Sequence, residues 1–149
     1  MNDRDQKVIN KAIKILDSKL RDVEIALDSP DAVETYLRLR LQLAERETFS
    51  IMFLDAQHRL IKYTELFYGT IDQSAVYPRE VVKEVLANNA AVVIFSHNHP
   101  SGIPEPSTAD RQITAILQKA LKLIDVDVLD HIVIGGGECV SFAQRGYLY

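Results

Sequence analysis

The stretch from Ala91 to Asp110 constrains the chain more than any other. Ala91-Val92-Val93-Ile94-Phe95 is an unbroken apolar run, which suits a strand buried on both faces. It leads directly into Ser96-His97-Asn98-His99-Pro100-Ser101-Gly102. Pro104 and Pro106 then interrupt regular structure. At Ser107 a second periodicity begins, with Ile113, Ile116, Leu117, Ala120, Leu121 and Ile124 recurring at helical spacing. The segment predicts a strand, a loop, and a helix from Ser107 to about Ile124.

Side chains alternate along an extended chain, so His97 and His99 point the same way if the strand continues through them. Ser107 is a good N-cap, and Asp110 falls at the third helical position. Both then lie at the end of the helix that faces the loop. Two imidazoles and a carboxylate are the kind of three-ligand set that holds a catalytic zinc and leaves a fourth position for water. Plainer readings stand beside this one. Ser107-x-x-Asp110 is also a capping box, and two histidines around Asn98 suit a solvated loop. Two of the four histidines fall within three residues, at a strand end beside a Pro/Gly loop, and this combination favours a metal site.

The length of 149 residues is enough for one domain with its own core. With 47% hydrophobic and 26% charged residues the composition is that of a globular protein. No apolar run approaches a membrane span, and the polar start Met-Asn-Asp-Arg-Asp is not a secretory signal. A cytoplasmic location is the default expectation. Cys139 is the single cysteine, which excludes an internal disulfide and a cysteine-based zinc cluster. The net charge of -4 argues against strong nonspecific nucleic-acid binding, which depends on Lys and Arg neutralising phosphates.

Val8, Ile9, Ala12, Ile13, Leu16 and Leu20 predict an amphipathic helix over residues 6–20. A second helix starts at Ser29-Pro30, with Ser29 as N-cap, and runs to about Ala44. The pair either caps the main domain or serves a partner. Glu47 to Leu54 reads as a strand with partial alternation, paired as a hairpin with Arg59 to Phe67. A short strand is expected near Ile71 to Val76, then a helix over Pro78 to Ala87. Val128 to Ile134 is a strand, Gly135-Gly136-Gly137-Glu138 a hairpin turn, and Cys139 to Phe142 the returning strand. The glycine run is no nucleotide loop, because a second strand rather than a helix follows it.

The pattern His97-x-His99-Pro100, then Ser107-x-x-Asp110, with a glutamate on an earlier strand, resembles that of the JAMM (JAB/MPN) metalloproteases. The fuller string H-N-H-P-S-G-x-P-x-P-S-x-x-D is similar to the bacterial RadC family within that group. Gly69-Thr70-Ile71, Pro78-Arg79-Glu80-Val81, Asn89-Ala90-Ala91 and Leu129-Asp130-His131 add to the likeness, which covers roughly residues 45–149. The resemblance implies an α/β (α+β) domain of JAB/MPN, cytidine-deaminase-like type: a mixed, curved sheet flanked by helices. Residues 1–44 are then a helical N-terminal extension, and 45–149 the metalloprotease domain. RadC-like proteins usually carry a larger N-terminal region related to helix-hairpin-helix modules. Residues 1–44 show no such Gly-containing hairpin, so a short member is expected.

The same resemblance implies roles. His97, His99 and Asp110 hold Zn2+, whose water has a pKa lowered to about 7. Glu47 is the general base, with Glu45 one step further out as the fallback. Ser107 donates a hydrogen bond to the oxyanion or the water. Read from the residues alone, Glu47 is an exposed strand-edge glutamate. His131 is read as a core or supporting histidine, His58 as a solvated turn residue, and Arg79 as a weak candidate for binding a carboxylate or substrate. The expected activity is amide-bond hydrolysis on a protein or peptide substrate. The alternatives are a DNA-repair-associated accessory protein and a binding domain without catalysis. His97-Asn98-His99 is not an HNH nuclease site, whose residues spread over a longer segment. A deaminase is excluded by the missing Pro-Cys-x-x-Cys pair. Substrate and oligomeric state are not legible at this level.

Overall fold

The computed structural model describes residues 2–22, 30–71 and 75–149. In chain order come helices α1 (Asp3–Asp22) and α2 (Pro30–Leu41) and strands β1 (Thr48–Leu54) and β2 (Leu60–Tyr68). Helix α3 (Pro78–Ala87), strand β3 (Val92–Asn98) and helix α4 (Thr108–Lys122) follow. Strands β4 (Asp127–Gly135) and β5 (Glu138–Ser141) and the short helix α5 (Phe142–Arg145) complete the fold. The strands form one mixed sheet in the order β2-β1-β3-β4-β5. β3 is its middle strand, antiparallel to β1 and parallel to β4. A parallel neighbour requires a crossover, which α4 provides.

β1 and β3 are buried along their whole length, because helices cover both faces of the sheet. Phe49, Ile51 and Phe53 of β1 and Val93 and Phe95 of β3 pack with Val81 and Val85 of α3 and with Ile113, Leu117 and Leu121 of α4. The alternate residues Met52, Leu54, Val92 and Ile94 pack with Leu20 of α1 and with Val33, Tyr36, Leu37 and Leu41 of α2. The partial alternation of β1 does not divide it into a buried and an exposed face, and both of its faces are core. Complete burial of Leu20, Leu37 and Leu41, at up to about 1.5–3 kcal/mol per side chain, fastens the N-terminal helices to the sheet.

α1 begins at a side-chain cap, Asn2 Oδ1 accepting from the Asp5 N–H at 2.8 Å. Its inward stripe is Ile9, Ile13, Leu16 and Leu20, while Val8 is exposed. α2 stops at Leu41 rather than near Ala44, and the carbonyls of Ala44 and Arg46 accept from the Asn98 amide instead. The expected cap Ser29 lies outside the described residues. Ile71, Ala75 and Val76 are not in a strand, and residues 72–74 lie outside the described set. The expected return strand Cys139–Phe142 ends one residue early, because Phe142 opens α5. Ser141 Oγ accepts from the Gln144 N–H at 3.2 Å, and Gly146 ends the turn in the left-handed region at φ 72°. Among the described residues, no helix is long and apolar enough to cross a membrane.

A β-bulge between β3 and β4 sets what faces the site. Val93 pairs with Val128, but Ile94 pairs with Asp130 and Phe95 with His131. The extra residue in β4 reverses the facing of everything after it. In unshifted register Asp130 would pair with Phe95 and face α4. With the bulge, His131 takes that place.

Candidate metal centre

His97 lies at the C-terminal end of β3, on the α4 side with Phe95. The His99 N–H donates to the Ile134 carbonyl at 2.7 Å. The chain thus stays extended beside β4, and His99 keeps the facing of His97. From the opposite side comes the N-terminus of α4. The Asp110 N–H donates to Ser107 Oγ at 3.0 Å, and the Ser107 N–H donates to Asp110 Oδ2 at 2.8 Å. Asp110 thus belongs both to the capping box with Ser107 and to the cluster with His97 and His99. The cap fixes the carboxylate so that Oδ1 is 3.2 Å from His97 Nε2 and Oδ2 is 3.1 Å from His99 Nε2. The two Nε2 atoms are themselves 3.0 Å apart. His97, His99 and Asp110 are positioned to hold a metal ion.

The donor chemistry of this cluster fits such an ion. His99 Nδ1 is 2.8 Å from the Ile103 carbonyl, which only accepts. Nδ1 therefore carries the hydrogen, and Nε2 turns a lone pair inward. Two imidazole nitrogens and a carboxylate meeting at about 3 Å repel one another unless a proton or cation sits among them. The titration directions express that demand. The hydrogen bond to Asp110 raises the His99 pKa above its ordinary value against the opposing effect of burial, with help from Ile103 and the charges of Asp110 and Glu47. Burial pushes Asp110 upward, but the His97 and His99 contacts and the Ser107 N–H hold it well below the usual carboxylate range.

The loop carrying Ile103 is held by glycines. A Cβ on Gly135 would stand 2.9 Å from Pro104 N and 3.0 Å from the Ile103 carbonyl carbon, and one on Gly136 only 2.6 Å from the Gly102 oxygen. The Gly-Gly-Gly turn is a place where backbone meets backbone.

Glu47 immediately precedes β1. The pairing of Phe49 with His97, continued by two residues, brings Glu47 opposite His99 on the same face. Its Oε2 accepts from the Ile71 N–H at 2.9 Å, and its carbonyl accepts from the Gly69 N–H at 2.9 Å. On the other face, buried Asn98 grips the chain on both sides of Glu47. Its Oδ1 accepts from the Thr48 N–H at 2.8 Å, and its Nδ2 donates to the Arg46 carbonyl at 3.1 Å. Ser107 is exposed, as are Glu45 and Arg79, while Glu47 is half-buried. His58 is half-buried too, in a turn at φ 62°.

His131 is the buried supporting histidine expected from the sequence; Thr114, Phe142 and Asp130 add to the site without having been singled out for it. Thr114 Oγ1 lies 2.6 Å from His131 Nδ1, and His131 Nε2 lies 2.7 Å from His97 Nδ1. Phe142 stacks on the His131 ring at 4.5 Å. Asp130 anchors α5 by accepting from Ser141 Oγ at 2.6 Å and the Ala143 N–H at 3.0 Å. Thr114 was accessible in principle, since a residue four after Asp110 shares its helix face.

A family model described as RadC-like JAB domain matches residues 27–147. A UPF0758 protein of Pseudoalteromonas translucida is 60% identical over 121 residues, 81% of this chain and 54% of that protein. One from Cellvibrio japonicus is 59% identical over 132 residues, 89% of this chain and 58% of the relative. One from Vibrio cholerae is 52% identical over 144 residues, 97% of this chain and 90% of the relative. The chain thus spans a little over half the length of the first two. With its mixed sheet and its His-His-Asp cluster at the end of β3, the chain belongs to the RadC-like JAB domain family.

Proposed function

We propose that this domain is a zinc-dependent metallohydrolase that cleaves an amide bond in a protein or peptide, as a peptidase or isopeptidase. The observation that carries the reading is the convergence of His97 Nε2, His99 Nε2 and the Asp110 carboxylate. Two imidazoles and one carboxylate suit zinc and leave room for a further ligand. An ion held there supplies Lewis acidity, which acidifies a water and polarises a carbonyl. Glu47 accepts the proton of the attacking water as the new C–O bond forms. It returns that proton to the amine nitrogen as the C–N bond breaks. Ser107 accepts from the Asp110 N–H, so its own hydrogen is free to donate to the carbonyl oxygen as that oxygen gains charge. Asp110 stays ionised throughout, held so by its imidazole neighbours and the Ser107 N–H.

The test is a panel of peptide and isopeptide-linked substrates with the wild type and Glu47→Gln. The wild type is expected to hydrolyse a member of the panel. Glu47→Gln should bind zinc equally well and lose about 10²–10⁴ in rate. Hydrolysis at an undiminished rate in Glu47→Gln would remove Glu47 from the chemistry.

A further inference from the structure

His131 lies outside the ligand cluster, yet it is wholly buried with His97 and Thr114. Thr114 Oγ1 is 2.8 Å from the Asp110 carbonyl oxygen and 2.6 Å from His131 Nδ1. A carbonyl only accepts, so the hydroxyl hydrogen must lie between Thr114 and Asp110; otherwise two oxygens would face each other bare. Thr114 Oγ1 is then the acceptor toward His131, and His131 Nδ1 carries its hydrogen. His131 Nε2 is left as a lone pair, 2.7 Å from His97 Nδ1. His97 Nδ1 must therefore donate, and His97 Nε2 is left bare where it meets His99 and Asp110.

We propose that Thr114 and His131 form a directional hydrogen-bond chain that selects the tautomer of His97 able to bind a metal. This rests on reading the cluster as a metal centre. His131 and Thr114 are positioning residues, acting on the ion through His97. The β4 bulge and the stacked Phe142 keep His131 in place for this role. Asp110 closes the circuit: its carboxylate is a ligand, and its backbone carbonyl sets the direction of the chain that orients another ligand. His131 touches the cluster only through His97 Nδ1, and Thr114 only through the Asp110 backbone carbonyl, so neither need be a ligand for the site to depend on it.

The experiment compares the wild type with Thr114→Val, which keeps the side chain's shape and removes the hydroxyl, and with Thr114→Ser, which restores it. Zinc affinity is measured by competition with a chromophoric chelator. Imidazole tautomers are read by nitrogen NMR on metal-free protein at about pH 9, well above the ordinary histidine pKa of about 6.5. The expected result is a neutral His97 protonated at Nδ1 in the wild type. In Thr114→Val, protonation should spread to Nε2 with an affinity about 10–100-fold weaker, and Thr114→Ser should recover both. His97 protonated at Nε2 in the wild type, or Thr114→Val with wild-type affinity, overturns the inference. A wild type that binds no zinc overturns the metal reading itself, and the tautomer spectra then still decide whether the chain runs in this direction.

Discussion

Gly135→Ala should damage the candidate metal centre without touching His97, His99 or Asp110. The added Cβ would lie 2.9 Å from Pro104 N, 3.0 Å from the Ile103 carbonyl carbon and 3.1 Å from the Gly102 carbonyl carbon. All three are backbone atoms, so no flexible side chain can swing aside. The loop must retreat by about 0.5 Å to restore van der Waals distance. Overpacking of this kind costs about 1–3 kcal/mol. The same retreat stretches the 2.8 Å bond from His99 Nδ1 to the Ile103 oxygen to the edge of hydrogen-bond distance. Loss of such an orienting bond typically weakens metal binding by about 10–100-fold. Urea unfolding of the metal-free protein measures the first quantity and chelator competition for zinc the second. Gly146→Ala is the control. Its position has φ 72° and nothing within 4 Å, so it should lose about 1–2 kcal/mol through the backbone and no zinc affinity. A Gly135→Ala protein with wild-type stability and affinity refutes the reasoning, as does an equal affinity loss in Gly146→Ala.

Asn98→Ala leaves the Thr48 N–H without its partner and the Arg46 carbonyl with only the Thr48 hydroxyl at 3.3 Å; it should cost about 1–3 kcal/mol in urea unfolding and lower the hydrolytic rate more than zinc affinity, because it frees the chain around Glu47. The metal-free protein should be most stable near pH 6.5. Burial, reinforced by the charge of His97, holds His131 well below its ordinary pKa. The unfolded chain therefore binds the extra proton, and stability falls as pH drops below about 6.5, by up to about 1.4 kcal/mol per pH unit. His99 is shifted the other way, so its contribution is complete below about pH 6.5 and is lost as pH rises through its raised pKa. Urea unfolding across this range checks both arms, and flat stability below about pH 6.5 would contradict the burial of a neutral His131.

The candidate metal cluster is legible in the sequence because it is local. His97 and His99 share a strand face by simple alternation, and Asp110 is fixed three residues after a cap. The order of strands and helices followed from the periodicity of short segments in the same way. What escaped depends on distant pairing. No local signal shows that β4 takes an extra residue opposite Val93, so His131 could be placed in a strand but not on a face. α5 is masked in the sequence because Phe142 extends the Cys139-Val140 pattern of β5, although Ser141 and Gly146 are the cap residues of a short helix. The glycine run reads as a turn from the sequence alone. Its close approach to the Gly102–Pro104 backbone appears only when β4 is laid beside β3. From the sequence Asn98 is a residue that orients the histidine loop, but its amide is committed to the chain on either side of Glu47, about fifty residues earlier.

If His97, His99 and Asp110 hold a zinc ion, elemental mass spectrometry of the purified protein beside a His97→Ala/His99→Ala variant will find it. About one zinc per chain is expected in the wild type, as a three-ligand site requires, and none in the variant. A wild type that holds no metal even after zinc is supplied, or a variant that retains it, would show that these residues do not form a zinc site.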